Sequence, residues 1–155
     1  MASDAIPAPT RSRRDDASAA LTLVVVCVAT FLMTRLSLDN VPGVTRRPNG
    51  SCCDTAFVNG NWWQALLLMA VPIWVAARTY WWAGLLALAV PTYATFYIAN
   101  TTINRYTNSG WGDGLEIFSY VGSVVHLIAF LVAYGYGSLV NRRRRGRLLS
   151  RVRGH

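Results

Sequence analysis

Residues Ile117–Val140 (IFSYVGSVVHLIAFLVAYGYGSLV) run without a single Asp, Glu, Lys or Arg. The run is as long as the roughly 20 apolar residues that a helix needs to cross a hydrocarbon core about 30 Å thick. In that core each backbone N–H and C=O has to be satisfied within the segment, so the run is expected to be helical. Its two ends differ in charge. Glu116 precedes it, whereas NRRRRGRLLSRVRGH (residues 141–155) follows it. The only ionisable side chain inside it, apart from tyrosine phenols, is His126.

The rest of the chain repeats this pattern. Only 14% of its 155 residues are charged, against about a quarter in an ordinary soluble domain. Residues 1–16 (MASDAIPAPTRSRRDD) are polar and are expected to be a disordered cytoplasmic lead. Ala17–Leu36 is the first apolar run. A basic stretch before an apolar run also resembles a secretory signal peptide. This run has the length of a full span, however, and no small-x-small cleavage site follows in Ser37-Leu38-Asp39-Asn40. It is read as a retained first helix with Ser18 as its N-cap.

Residues 38–61 hold Pro42-Gly43, Pro48-Asn49-Gly50 and Asn59-Gly60, the turn signals of an outer loop. Trp62–Ala77 is the second apolar run, with Pro72 inside it, where a kink is expected. Trp81–Thr102 is the third, with Pro91 near its middle. Together they are too long for one crossing at about 1.5 Å per residue, so a helical hairpin around Arg78 is expected. Residues 103–115, rich in glycine, form the second outer loop. The fourth run, at 117–140, leads into the basic cytoplasmic tail at 141–155. The expected fold is all-α: a polytopic four-transmembrane-helix bundle with both termini cytoplasmic.

Charge sets the orientation. All 15 basic residues are Arg, a composition typical of a GC-rich bacterial source. With the termini inside, the inner segments hold eleven of them: Arg11, Arg13, Arg14, Arg78, Arg142, Arg143, Arg144, Arg145, Arg147, Arg151 and Arg153. The outer side holds four: Arg35, Arg46, Arg47 and Arg105. This is a positive-inside bias, and the expected location is a bacterial inner (cytoplasmic) membrane. The net charge of +8 is thereby assigned to orientation and anionic lipid, not to nucleic acid.

Polar groups inside the spans are the candidates for chemistry. His126 lies about nine residues, or roughly 13 Å, below the outer end of its span. It shares a stripe with Ser119, Gly122, Ser123, Ala129, Ala133 and Gly137, the three-and-four spacing of a close helix–helix seam. The same depth on the other spans falls near Cys27, Pro72, Thr92 and Tyr93. Tyr93 or Thr92 is expected to hydrogen-bond the imidazole. One His and one Cys are too few for structural zinc, and no second axial ligand for haem lies in the spans, so neither a metal nor another cofactor is expected.

Cys52 and Cys53 are adjacent in the first outer loop, a compartment that permits disulfides. A bond between neighbours is strained, so they are read as free thiols or as bridges to a partner or a second copy. The C-x-x-C motif of thiol–disulfide oxidoreductases is missing. Asp113 and Glu116 stand at the outer start of the fourth span, where an acid offsets the helix dipole or draws cations to an outer mouth. Arg142, Arg143, Arg144, Arg145 and Arg147 are expected to meet lipid headgroups or an acidic partner.

No Ser–His–Asp set, metal cluster or intramembrane carboxylate pair is visible, and the reading leans away from an enzyme. The expected role is an accessory or assembly subunit of a larger membrane complex, in contact with the bilayer and with other subunits or further copies of itself. Two alternatives stand beside it. One is a small oligomeric transporter or proton-coupled channel using His126. The other is a phage-type holin or exclusion protein, which the chain resembles in composition: it is short, has several spans and ends in a basic tail.

Overall fold

A computed structural model describes residues 12–39, 61–108 and 117–153, and all of these except Ser12 and Tyr80 are helical. In chain order the elements are α1 (Arg13–Asp39), a 3-10 segment (Asn61–Met69), α2 (Ala70–Thr79), α3 (Trp81–Asn108) and α4 (Ile117–Arg153). There is no strand among the described residues. Three helices, α1, α3 and α4, are long and apolar enough to cross a membrane, while Trp63–Thr79 is a shorter apolar stretch.

Several boundaries differ from the sequence expectation. The polar lead becomes helical at Arg13, not Ala17, because Asp15 and Asp16 occupy the first turn and suit its dipole. The Ser12 carbonyl accepts from the N–H groups of Asp15 at 2.9 Å and Asp16 at 3.3 Å. Ser18 is thus inside the helix and not its N-cap; its carbonyl accepts from the Thr22 hydroxyl at 2.7 Å. The second apolar run is not one kinked α-helix. It changes from 3-10 to α at Ala70, so that Pro72 falls in the first turn of α2, where a missing N–H costs little. Helix α3 continues to Asn108, into the expected loop, and α4 carries on through the basic tail to Arg153.

The hairpin turns at Tyr80, whose backbone is extended (φ −140°, ψ 133°). Its N–H donates to the Ala76 carbonyl at 2.8 Å, and its carbonyl accepts from Gly84 N–H at 3.0 Å. Small residues let α2 and α3 close on each other: Ala76, Ala77, Ala83 and Ala87 are all fully buried. A Cβ added at Gly84 would stand 2.6 Å from the Ala77 Cα. Helix α4 approaches α2 in the same way, since a Cβ at Gly137 would stand 2.6 Å from the Trp74 carbonyl oxygen.

Polar ties bring three segments to one end of the bundle. The Tyr80 hydroxyl donates to Asp16 of α1 at 2.8 Å. Asn141 of α4, itself buried, donates its amide to the Ala77 and Thr79 carbonyls at 3.4 and 3.3 Å. These carbonyls belong to the last turn of α2, which has no intrahelical donors for them. The Arg78 guanidinium lies over the Trp74 ring, 5.2 Å from its centroid. The outward surface is apolar, with Leu21, Val24, Val28 and Phe31 exposed on α1 and Val121, Val125, Ile128 and Val132 on α4. A belt of that extent is what lipid covers.

Candidate functional site

His126 is 2% exposed and faces the bundle interior. Its position follows from the α4 stripe, where Ser119, Ser123, His126, Phe130, Gly137 and Asn141 recur at helical spacing and are buried. The Nδ1 atom lies 2.7 Å from the Gly122 carbonyl, one turn back on the same helix. The Nε2 atom lies 3.1 Å from the Trp63 carbonyl at the start of the 3-10 segment. Both ring nitrogens therefore face acceptors. A neutral imidazole donates from one nitrogen only, and the other then meets a carbonyl oxygen with its lone pair.

Aromatic rings close the site. The Trp63 indole stacks on the imidazole with centroids 4.8 Å apart and planes at 29°. Phe130 meets it edge-on at 6.0 Å and 75°. The stack depends on Gly122, because a Cβ there would collide with the six-membered ring of Trp63. One turn away, the fully buried Ser123 is within hydrogen-bonding reach of two carbonyls, that of Thr95 on α3 at 3.1 Å and that of Ser119 at 3.0 Å. Ser123 and His126 thus tie α4 to two neighbours through main-chain oxygens.

The other sequence candidates are placed elsewhere. Tyr93 is 72% exposed and stacks on Tyr97, not on His126. Thr92 is half-buried, and its hydroxyl has no partner. The neighbour that joins the seam from α3 is Thr95, through its carbonyl. Cys27 is exposed on α1. Arg142, Arg143, Arg144, Arg145 and Arg147 are exposed along the end of α4. Cys52, Cys53, Asp113 and Glu116 lie outside the described residues. Among the described residues no group of His, Cys, Asp or Glu is arranged to hold a metal ion.

Sequence reasoning missed Trp63 and Phe130 as partners of His126. Trp63 reads as half of an interfacial Trp pair, and nothing local distinguishes a ring turned inward from one turned toward headgroups. The available signal was Gly122, a gap beside a histidine that a large ring could fill. Comparison with protein-family models, with curated proteins and with solved structures gives no match to this chain.

Proposed function

We propose that this chain is a four-span integral protein of a bacterial cytoplasmic membrane, with both termini inside, and that it serves as an accessory or assembly subunit of a larger membrane complex. The fourth crossing is the stretch that looks too short. The 3-10 part of Trp63–Thr79 rises about 2.0 Å per residue and the α part about 1.5 Å. Seven residues of the first kind and ten of the second reach about 29 Å, close to the core thickness of about 30 Å. The shared end of α1, the α2–α3 turn and α4 carries Arg13, Arg14, Arg78 and Arg142–Arg145, which favours the cytoplasmic side.

The observation that carries the role is the state of His126. It is buried, packed between two aromatic rings, and each of its ring nitrogens faces a backbone carbonyl, one of which accepts its N–H. Such a residue fixes helix register; a mispaired alignment would strand it in an apolar interior. The test is purification from native membranes in mild detergent, followed by mass and composition of the eluate. A stoichiometric companion protein is expected. A pure homo-oligomer refutes the accessory role and moves the weight to transport.

The proton-coupled reading retains one specific support: two acceptors face a ring that, when neutral, donates only once. It requires that His126→Ala abolish proton flux in proteoliposomes while the protein still folds; unchanged flux removes it.

A further inference from the structure

The end of the bundle that Asn141 pins together also holds a recess of about 410 Å³. Its walls are Trp81 from the start of α3 and Tyr134, Ser138, Asn141, Arg142 and Arg145 from α4. The α4 residues recur at three-and-four spacing, so they form one face of one helix. That face is held in place, because the Asn141 amide is fixed to the Ala77 and Thr79 carbonyls. The Ser138 hydroxyl oxygen is buried and has no partner. Two guanidinium groups line the recess, and among the described residues no carboxylate does.

We propose that this recess binds the phosphate of an anionic glycerophospholipid headgroup. Its size lies within the roughly 300–1,000 Å³ of small-molecule sites. Arg142 and Arg145 supply paired planar donors suited to a phosphodiester. Trp81, 57% exposed, and Tyr134 give amphipathic rings at the level where acyl chain meets headgroup. The two guanidinium groups favour a headgroup of net negative charge over a zwitterionic one. The site binds a lipid at a defined place, in contrast to the diffuse attraction of a basic tail.

The inference rests on the membrane reading but not on the accessory role, and the two fail separately. Carbonate-washed membranes that lose the protein would sink the membrane reading itself. The site is tested by native mass spectrometry of the full chain, delipidated in detergent and titrated with phosphatidylglycerol, phosphatidylcholine or inorganic phosphate. One phosphatidylglycerol per chain is expected, bound about tenfold tighter than phosphatidylcholine. The double variant R142Q/R145Q should lose about tenfold in that affinity, while R143Q/R144Q, with the same net charge, should lose less than about threefold. Both pairs are exposed on one helix, and unchanged far-UV circular dichroism confirms that both variants fold. Equal losses in the two variants, or equal binding of the two lipids, overturn the site. Inorganic phosphate that binds as tightly as the lipid overturns the lipid as its occupant.

Discussion

Gly122→Ala is the smallest change that tests how the histidine seam is built. The added Cβ points into the six-membered ring of Trp63, and the ring cannot back away without leaving its stack on His126. Overpacking of this kind costs about 1–3 kcal/mol. Opposing it, Ala is favoured over Gly within a helix by about 0.8–1.0 kcal/mol. The net effect in the native background is therefore a loss of up to about 2 kcal/mol. In a Trp63→Ala background the ring is gone and only the helix preference remains, so the same substitution should stabilise. The preference is common to both backgrounds and cancels in a double-mutant cycle, leaving the clash as a coupling of about 1–3 kcal/mol. The assay is unfolding in mixed micelles by SDS titration, followed by far-UV circular dichroism. Single and double variants that add to within about 0.5 kcal/mol would show that Trp63 does not sit over Gly122.

Three further outcomes follow from the same packing. His126→Ala removes the ring that Trp63 and Phe130 close upon and strands the Trp63 carbonyl, and should cost about 2–4 kcal/mol in the SDS titration. Asn141→Ala leaves the Ala77 and Thr79 carbonyls without their side-chain donor; a loss of about 1–2 kcal/mol is expected, with faster proteolysis at the α2–α3 turn in detergent as the independent readout. In a C52S/C53S background Cys27, exposed on an apolar helix face, should resist a charged maleimide in vesicles and react once SDS opens the bilayer, because the thiolate that reacts does not form in hydrocarbon; ready labelling in intact vesicles would place Cys27 outside the bilayer.

The apolar runs and their order were legible because a hydrocarbon environment imposes a long, uncharged pattern that local sequence displays openly. The inward stripe of α4 was legible for a related reason: Ser119, Ser123, His126 and Gly137 recur at helical spacing, and small or polar residues mark seams when the surroundings are lipid. Element types and partners were less so. The 3-10 course of Asn61–Met69 leaves no composition mark distinct from an α-helix, and Pro72 suggested a kink until the helix was seen to begin just before it. A depth count put Tyr93 level with His126, but depth says nothing about azimuth, and Tyr93 points outward where Thr95 points in. The extension of α4 through the Arg run was hidden because charge density masks a good helix former, Arg, as a tail.

Helix α1 is held differently from the others, and this makes its release a measurable event. Of its most apolar stretch 17% is buried, against 44% for α3. Helix α4 is almost as exposed, at 22%, but Ser123, His126 and Asn141 tie it to main-chain oxygens of three different segments. The buried hydroxyls of α1, on Thr30 and Ser37, have no partners, so they add desolvation cost where α4 gains a tie. One of its links, from Asp16 to Tyr80, lies at one end. In an SDS titration α1 should therefore separate before the α2–α4 core unfolds. A fluorophore on Cys27 in the C52S/C53S background should report a transition at lower SDS fraction than the fluorescence of Trp63, which tracks its stack on His126, read in a chain whose other tryptophans are Phe. Transitions that coincide would show that the apolar contacts of Ala19 and Val26 hold α1 as firmly as hydrogen bonds hold α4, and that the bundle unfolds as one unit.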